Sequence, residues 1–352
     1  MRFTILLTAV TGLVPSLLGC SDQPATKEIV VVRVAVDDIH SRPILEAFAR
    51  ETGIIVDATY DTEQSKTVGH VTQLVAEQEA GNPTCDVFWN NEIINTIHLK
   101  NRGMLQMYVP GGDAQEIPPT FRDPDGTWIG FGARARIIVV NTKLIPNEAD
   151  RPTSYRDFLD PRWKQKCTVA RPETGTTLTH GVAMFTALAE NPSESERLAR
   201  EFWEGVRANA VIAQSNGQTM GQVRDRHMAF GFTDTDDFQH GVEHFRERGE
   251  EVEIVAIYPD QDGVGTLLIP NTVCIMKGAP HLDAAKRLVD YLSSKRVEAE
   301  LANSVSRQIP VRADVPAPES TRKPSRDFKA MEVDWDAMGA EFTKRAAELR
   351  EK

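Results

Sequence analysis

The chain has 352 residues, which is enough for about two domains. Its 41% hydrophobic and 26% charged residues are typical of a globular protein with a sizeable core, and they exclude wholesale disorder, collagen and a coiled coil. The formal net charge of −11 repels phosphate backbones and no basic patch offsets it, so we expect no nucleic acid partner.

The N-terminal segment, MRFTILLTAVTGLVPSLLGC, resembles a bacterial lipoprotein signal. Its apolar run is interrupted by Pro15, so it is too short and too broken to span a membrane. We predict a signal peptide over 1–19, a lipid on Cys20 and a polar tether over 20–27. The alternative is an ordinary secretory signal in which Cys20 occurs by chance. A lipid anchor would place the protein in the periplasm or at the cell surface, with the lipid as its only membrane contact.

Three further cysteines, Cys85, Cys167 and Cys274, lie in or beside apolar segments that are typical of strands. No CxxC pair is present, which argues against a zinc ribbon and against a thioredoxin-like site. We expect buried, unpaired thiols, with one disulfide as the open alternative in an oxidising compartment.

Strands and helices alternate in the first hundred residues. Runs of β-branched residues are followed by apolar residues at helical spacing, which is typical of a mostly parallel sheet covered by helices. The predicted elements, in chain order, are a strand at 28–36, a helix ending at Gly53, a strand at 54–58, a helix around 68–75, a strand at 86–89 and a helix ending at Gly103.

Two strand-rich passages, 128–140 and 266–276, bracket a second alternating block. Within it the pattern predicts strands at 167–170, 211–213, 228–232 and 252–258, and helices at 178–188, 194–207, 221–226 and 238–248. Further helices are predicted at 282–293, at 295–302 and at the C-terminus. We therefore predict an α/β fold of two lobes joined by two crossover strands. Lobe I comprises 28–132 plus 266–352, and lobe II comprises 133–265.

Polar residues follow the strands of both lobes, at the sheet edge toward which each following helix points its N-terminus. Such oxygen-rich clusters predict a cleft that binds a small polar solute or a metal ion. The candidate binding residues are His40, Asn90, Asn91, Glu92, Arg134, Arg136, Thr174, Gly175, Thr176, Thr177, Asn216, Thr233, Asp234, Thr235, Asp236 and Asp237. For any single cluster helix capping is the simpler account, and capping alone explains Thr177, Ser193 and Asp237.

The acidic segment 233–237 is the strongest local signal. Capping does not require three carboxylates in five residues, and their repulsion is costly unless helix N-termini, Arg134 or Arg136, or a bound cation offsets it.

The segment 171–177 has the features of an anion-binding site, an anion seat, because Gly175 allows close approach of the backbone and the neighbouring hydroxyls donate hydrogen bonds. It lacks the spacing and the lysine of a nucleotide P-loop.

His240, Glu243 and His244 form a literal H-x-x-E-H motif. On a helix this motif places two imidazoles one turn apart for zinc, with Glu243 as general base, and it defines a hypothesis of another class, a secreted zinc hydrolase. Because Gly241 weakens the helix and a charged run follows, an exposed helix face is the simpler account.

Several segments together resemble the extracellular solute-binding proteins of ABC importers, and most closely the two-lobed type that binds ferric iron(III). These segments are GIIVDATYDTEQSKTVGHVTQLVAEQ, DVFWNNE, FGARARIIVVN, GFTDTDD and IPNTVCIMKGAPH. The resemblance runs from about Val31 to the last helix. It implies a type II-like periplasmic binding protein fold that closes on its ligand and docks on a permease.

The resemblance also implies metal ligands. His40 matches the histidine that ferric-binding members use after the first strand, and Glu92 stands at the place of their acid or one residue beyond it, where Asn91 sits. The family's pair of adjacent tyrosines falls on the segment around Asp236, so both phenolates are absent here. Hard carboxylates remain, and these suit hard cations.

We therefore expect the substrate-binding component of an ABC importer, with no enzymatic activity and no resident cofactor. It would capture iron(III) or another metal in the interlobe cleft through His40, Glu92 and Asp236, with a synergistic anion at 174–176 and Asn216, where the family's anion loop falls. Its partners would be permease and ATPase subunits, and the receptor itself would be a monomer.

Two alternatives stay open at this point. The first keeps the receptor role but replaces the metal with a phosphorylated or organic-anion solute, held by the anion loop and by Arg134 or Arg136. The second is the secreted zinc hydrolase built on His240, Glu243 and His244.

Overall fold

The computed structural model describes residues 27–60, 68–173, 175–324 and 326–350. The predicted signal peptide at 1–19, the predicted lipidation site Cys20 and the candidate binding residue Thr174 lie outside the described residues. Within the described ranges, no helix is both long enough and apolar enough to cross a membrane.

The first half of the sheet begins with three parallel strands. The elements are β1 (Ile29–Val34), α1 (Asp38–Thr52), β2 (Ile55–Tyr60), α2 (Val68–Glu79), β3 (Val87–Asn90), α3 (Ile93–Asn101) and the short β4 (Leu105–Gln106). β1 pairs in parallel with both β2 and β3. The predicted alternation of strands and helices is confirmed, and it brings the ends of β1 and β3 to one edge of the sheet.

The long strand β5 (Trp128–Asn141) is buried along its whole length and belongs to both halves of the sheet. Its residues 128–135 pair antiparallel with a later strand of the first half, whereas its residues 136–140 pair antiparallel with a strand of the second half. Arg134 and Arg136 therefore lie where the chain crosses from one half to the other.

The second half repeats the parallel arrangement. Its elements are β6 (Cys167–Ala170), α4 (Gly175–Ala187), α5 (Pro192–Asn209), β7 (Val211–Ala213), α6 (Asn216–Arg224), β8 (Phe230–Asp234), α7 (Thr235–Glu247) and β9 (Ile254–Ile257). β6 pairs in parallel with β7 and β8, while β8 and β9 pair antiparallel with β5.

Three helices of this half begin earlier than predicted. α4, α6 and α7 begin at Gly175, Asn216 and Thr235, not at 178, 221 and 238. The sequence pattern missed their first turns because these turns carry polar side chains, and periodic apolar residues start only after them. The candidate binding residues of 175–177, 216 and 235–237 thus lie in first helical turns, where backbone N–H groups lack partners within the helix.

The chain then returns to the first half through β10 (Leu268–Met276), followed by α8 (Leu282–Leu292), α9 (Lys295–Asn303) and α10 (Trp335–Arg350). β10 pairs antiparallel with β3 and β5, which gives the strand order β2-β1-β3-β10-β5-β8-β6-β7. The structure is the predicted two-lobed α/β fold. The mostly parallel strands of each half are joined by antiparallel crossover strands.

A β-bulge lies beside the crossover. The register between β5 and β10 shifts between Pro270 and Asn271, opposite Gly132. Gly132 has a φ of 54°, a left-handed conformation that favours glycine, and its amide donates to Glu298 Oε1 at 3.2 Å. Because a bulge bends the strand that carries it, β5 changes direction just before Arg134.

The three cysteines of the described chain are buried within the apolar core and are unpaired, as expected. Burial raises the pKa of the Cys85 thiol and of the Cys167 thiol to about 12, and it raises that of Cys274 as well. These thiols therefore stay protonated and unreactive at neutral pH.

The last helix, α10, contacts both halves of the molecule. At its start, Trp335 Nε1 donates to the carbonyl oxygen of Thr120 at 3.0 Å. Near its end, Arg345 forms an ion pair with Glu196 of α5. The division into lobe I (28–132 plus 266–352) and lobe II (133–265) thus stays a proposal, because this helix packs on both.

Candidate functional site

A cleft of about 1140 Å³ lies at the edge of the sheet where the parallel strands of both halves end. Helices from both halves contribute to it, as the sequence predicts. His40 of α1 and Glu92, just before α3, line it from the first half. Thr176 of α4, Asn216 of α6 and Asp236 of α7 line it from the second half.

Arg136 is at the centre of a buried hydrogen-bond network. Its Nη1 atom donates to Asp234 Oδ1 at 2.8 Å, to Thr176 Oγ1 at 3.1 Å and to Asn216 Oδ1 at 3.2 Å, and its Nη2 atom donates to Thr177 Oγ1 at 3.4 Å. Asp234 Oδ2 accepts from Thr176 Oγ1 at 2.5 Å and from Asn216 Nδ2 at 3.1 Å. The Arg136 side chain is fully buried, so its charge is neutralised by Asp234 and not by water.

This network occupies the predicted anion seat. Gly175 has a φ of 62°, and Thr176 and Thr177 lie in the first turn of α4, as an anion-binding helix N-terminus requires. However, the hydroxyl group of Thr176 already donates to the Asp234 carboxylate. The protein therefore places one of its own carboxylates where a ligand anion was expected.

Arg134 joins the two sides of the cleft. Its Nη2 atom donates to the carbonyl oxygen of Asn91 at 2.6 Å and to Glu92 Oε1 at 3.2 Å, and its Nη1 atom donates to Asp236 Oδ2 at 3.4 Å. The other carboxylate oxygen of Glu92, Oε2, accepts from Thr179 Oγ1 at 2.8 Å. Burial raises the pKa of Glu92 to about 7, although the Arg134 charge and the Thr179 hydroxyl partly oppose this shift.

Three carboxylates converge at the start of α7. Oxygen atoms of Asp234, Asp236 and Asp237 all lie within 4.8 Å of one another, and this is the one such group of three potential metal-binding side chains in the described part of the chain. Burial raises the pKa of Asp236, and burial together with the charges of Asp236 and Asp234 raises the pKa of Asp237 well above its usual range. Such a cluster holds unfavourable negative charge that a cation would relieve.

The capping interpretation of these residues is wrong. Asp234 occupies the N-cap position of α7, but its side chain makes no capping hydrogen bond. Asp237 and Thr177 lie inside the first turns of their helices. Ser193 does not cap α5 either, because Asn191 Oδ1 accepts from the amides of Ser193 and Glu194 there.

Three histidines line the cleft, namely His40, His98 and His240. His40, in the first turn of α1, is 8% exposed, and its ring makes no hydrogen bond to any residue that the structure describes. Burial lowers the pKa of His40, and the nearby charge of His240 lowers it further, while Asp37 and Asp236 oppose this shift. A neutral imidazole is the form that binds metals.

Sequence reasoning missed His240 as a residue of this cleft. It lies one helical turn after Asp236 on α7 and lines the same cavity. The signal was present in the sequence, because residues four apart on a helix share a face. The H-x-x-E-H motif grouped His240 with Glu243 and His244 instead of with Asp236, and His244 does not line the cleft.

The motif itself does not assemble into a metal site. Glu243 forms an ion pair with Arg246 at 3.5 Å, along the exposed surface of α7. The side chains of His240, Glu243 and His244 do not appear as a converging group of ligands within the described ranges. The structure thus favours the exposed-face account for Glu243 and His244.

Three other candidates have structural partners. Asn90 Nδ2 donates to the carbonyl oxygen of Glu92 and to Thr96 Oγ1, which fixes the turn before α3. Thr235 Oγ1 accepts from the amide of Ala135 at 3.2 Å. Thr233 Oγ1 donates to Asp237 Oδ2 at 3.0 Å and thereby positions that carboxylate.

Comparison with known proteins places this geometry in context. The chain is 24% identical over 301 residues to Iron uptake protein A1 of Synechocystis sp., covering 83% of this chain and 78% of the relative. It is 23% identical over 288 residues to a probable ABC transporter periplasmic-binding protein of Sinorhizobium fredii, covering 78% and 77% of the two chains.

Solved structures share the fold. Iron-bound HitA from Pseudomonas aeruginosa superposes with a TM-score of 0.77 at 20% identity, over 92% of this chain and 100% of that one. AfuA from Actinobacillus pleuropneumoniae, with exogenous fructose-6-phosphate bound, superposes with a TM-score of 0.74 at 18% identity, over 92% and 97% of the chains.

The sequence profile of the bacterial extracellular solute-binding proteins matches residues 97–340. Since this match covers well over half of the chain, the protein belongs to the family of bacterial extracellular solute-binding proteins.

Proposed function

We propose that this protein is the substrate-binding component of an ABC importer, and that it captures a metal cation in the cleft between its lobes and delivers it to a permease. Iron(III) is the first cation to consider, because the relative from Synechocystis is named an iron uptake protein and the HitA structure contains iron. The relative from Sinorhizobium fredii supports a role in ABC transport.

The observation that carries the proposal is the charge balance of the cleft. Six carboxylates and three guanidinium groups line it, namely those of Asp37, Glu92, Glu173, Asp234, Asp236, Asp237, Arg134, Arg171 and Arg350. Arg134 is already engaged by Glu92 and Asp236, and the adjacent Arg136 is engaged by Asp234. The excess of carboxylate oxygens favours a cation over an anion as cargo.

The donor set supports binding without phenolates. Asp236 and Asp237 supply hard oxygen atoms from one side of the cleft, and His40 supplies an imidazole from the other. Glu92 is less suited to the role of ligand than its position in the sequence implied. Its two oxygens are taken by Arg134 and Thr179.

A phosphorylated solute is the second candidate. The AfuA structure, which has the same fold, contains a hexose phosphate. The carboxylates of Asp236 and Asp237 would accept hydrogen bonds from sugar hydroxyls, and the cleft of about 1140 Å³ is large enough for a small organic molecule. Against this candidate, Asp234 already fills the seat that a phosphate would use.

Isothermal titration calorimetry of the purified protein tests the proposal, with ferric citrate, divalent metal salts and fructose-6-phosphate as separate titrants. We expect a metal to bind at one ion per chain, and the Asp236→Asn variant to bind it about tenfold or more weakly, as expected for loss of one charged interaction. Asp225→Asn is the control, because Asp225 pairs with Arg224 away from the cleft. Binding of fructose-6-phosphate without binding of any metal would replace the proposal with the second candidate.

The proposal extends to location and partners. We infer a lipid on Cys20 that holds the receptor at a membrane, permease and ATPase subunits as partners, a monomeric receptor, and no chemistry of its own. The family consists of extracellular solute-binding proteins, which supports a binding role. Mass analysis of the mature N-terminus tests the anchor, and an unmodified chain that begins elsewhere would contradict it.

A further inference from the structure

Three potential metal ligands lie near the start of α7 and line the cleft, namely Asp236, Asp237 and His240. His240 follows Asp236 by four residues and Asp237 by three, so its side chain neighbours each of the two carboxylates on the helix surface. His40 lines the same cleft from α1, in the opposite half of the molecule. The set therefore combines two carboxylates with two imidazoles, drawn from both lobes.

His40 provides an independent sign of a ligand. More than nine-tenths of this residue is buried, yet its ring has no hydrogen-bond partner in the described part of the chain. The His40 ring nitrogens are not among the fully buried polar atoms that lack a partner, so they are open to the cleft, where a ligand can reach them. No three of His40, Asp236, Asp237 and His240 have ligand atoms within 4.8 Å of one another in the described part of the chain, so side-chain rotation and closure of the cleft would complete the site.

The remaining negative charge is too small for a trivalent ion. Asp236 shares its charge with Arg134 at 3.4 Å, and Glu92 and Asp234 are committed to arginine partners. Tyr60 supplies no phenolate to the cleft, because it lies under the guanidinium of Arg42 and does not line the cleft. About two carboxylates with two neutral imidazoles balance a dication, and imidazole suits zinc, copper, iron(II) and nickel more than hard trivalent ions.

We propose that His40, Asp236, Asp237 and His240 form a site for a divalent first-row transition metal, with zinc(II) as its representative, and that the site selects this class over iron(III). This inference rests on the proposed function, because it specifies which cation the receptor carries. In this proposal His240 is a ligand of the transported metal. Glu92 is not a ligand, and its role is to position Arg134.

The test uses metal-free protein and two matched variants on the same helix. His240→Gln removes an imidazole that lines the cleft, whereas His244→Gln removes one a turn further along that does not line it. Zn²⁺ is titrated by calorimetry. Co²⁺ is titrated in the visible spectrum, where its bands report nitrogen and oxygen ligation.

We expect one Zn²⁺ per chain, binding weakened about tenfold or more in His240→Gln, and binding unchanged in His244→Gln. Loss of a supporting residue around a metal already costs about 10- to 100-fold, so loss of a ligand should cost no less. The visible bands of Co²⁺ should change in the His240→Gln variant alone.

Each other outcome has a definite meaning. Ferric citrate binding without Zn²⁺ or Co²⁺ binding, or Zn²⁺ binding that is the same in His240→Gln, would overturn the divalent site and leave the receptor function standing. Equal loss in both histidine variants would move the metal to the H-x-x-E-H motif and overturn the inference as well. Failure of every metal to bind would overturn the inference and the proposed function together.

Discussion

Asp234 and Asp237 stand three residues apart in opposite electrostatic situations. Asp234 neutralises the fully buried Arg136 at 2.8 Å. Asp237 accepts a side-chain hydrogen bond from Thr233 alone among the described residues, and it lies beside other carboxylates. We predict that Asp234→Asn lowers the free energy of unfolding by about 3 kcal/mol or more, because removing one member of a buried ion pair leaves the other charge uncompensated.

Asp237→Asn is the matched control for this prediction. Asparagine keeps an acceptor for Thr233 and removes repulsion with Asp236, so the free energy of unfolding should stay equal or rise. Urea denaturation of both metal-free variants at neutral pH measures the two values. If Asp237→Asn were the more destabilising change, the assignment of Asp234 as the partner of Arg136 would be wrong.

The raised pKa of Glu92 predicts a pH dependence of stability. Burial raises this pKa from 4.5 to about 7 in the folded protein, so the folded state binds the proton more tightly than the unfolded chain does. The contribution of Glu92 to stability is therefore complete below about pH 4.5 and is lost as the pH rises through 7. The full difference amounts to about 3 kcal/mol.

The Glu92→Gln variant isolates this contribution. Its stability relative to the wild type should increase by up to about 3 kcal/mol between pH 4.5 and pH 8, because glutamine does not ionise. Glu243→Gln, at the surface beside Arg246, is the control and should follow the wild type. Denaturation curves at several pH values provide the measurement, and parallel pH profiles of Glu92→Gln and wild type would refute the prediction.

Local rules predict which residues reach the site but not which of them contact each other. His40, Glu92 and Asp236 follow strands, and that position alone brings them to the cleft. The pairing of Arg136 with Asp234 joins residues 98 apart in the sequence, and the bond from Thr179 to Glu92 joins residues 87 apart. The sequence named Arg134 and Arg136 as possible partners of the acidic segment. Because these contacts depend on how the two halves meet, it did not reveal which carboxylate each arginine pairs with, or that Glu92 has internal partners.

Among the elements, α10 depends on a close approach to α3. A Cβ atom placed on Gly339 would lie 2.1 Å from Ile97 Cγ2 and 3.1 Å from Asn101 Nδ2. We predict that Gly339→Ala lowers the free energy of unfolding by about 1–3 kcal/mol, the usual cost of inserting a methyl group into a packed interface.

Gly221→Ala is the control for this change. Gly221 lies within α6, where an added Cβ would approach nothing closer than Arg224 Nη2 at 4.0 Å. Alanine there should be neutral or stabilising by up to about 1 kcal/mol, because it restricts the unfolded chain. Thermal and urea denaturation measure the stability of both variants. The difference between them separates the cost of the close contact at Gly339 from the general effect of replacing glycine with alanine in a helix. Equal stability of the two would show that α10 does not need its close contact with Ile97.

The order and type of the elements follow from hydrophobic periodicity, whereas helix starts and long-range packing do not. The first turns of α4, α6 and α7 are polar because they face the cleft, so the periodic signal begins late there. The amphipathic pattern of α10 indicates that the helix has a buried face, but not that this face contacts both α3 and α4. The two crossover strands were found because they are continuous apolar runs without an intervening helix.

At the scale of the whole molecule, the two halves are linked by β5, by the chain between β9 and β10, and by α10, in the part of the chain that the structure describes. The first two links can act as hinges, because a hinge needs a backbone change in only a few residues when the lobes rotate. α10 is different, because Arg345 holds its end to Glu196 of α5 while Trp335 holds its start near Thr120. This helix should therefore limit how far the cleft opens.

Small-angle X-ray scattering tests closure and the role of α10 together. The radius of gyration of the wild type should fall when saturating Zn²⁺ or ferric citrate is added, because the proposed ligands line the cleft from both halves and binding between them favours the closed arrangement. Arg345→Met removes the ion pair to Glu196 but keeps an aliphatic side chain near Phe185. Its metal-free form should have a larger radius than the wild type, whereas the two bound forms should agree.

Arg197→Met is the control for the scattering experiment, because Arg197 pairs with Glu194 and Glu201 within α5 and does not reach α10. Its radius should match the wild type in both states. An unchanged wild-type radius with saturating metal would contradict closure. Equal metal-free radii for Arg345→Met and the wild type would show instead that the ion pair between Arg345 and Glu196 does not limit opening, because Arg200 and Glu348 still join α5 to α10 in that variant.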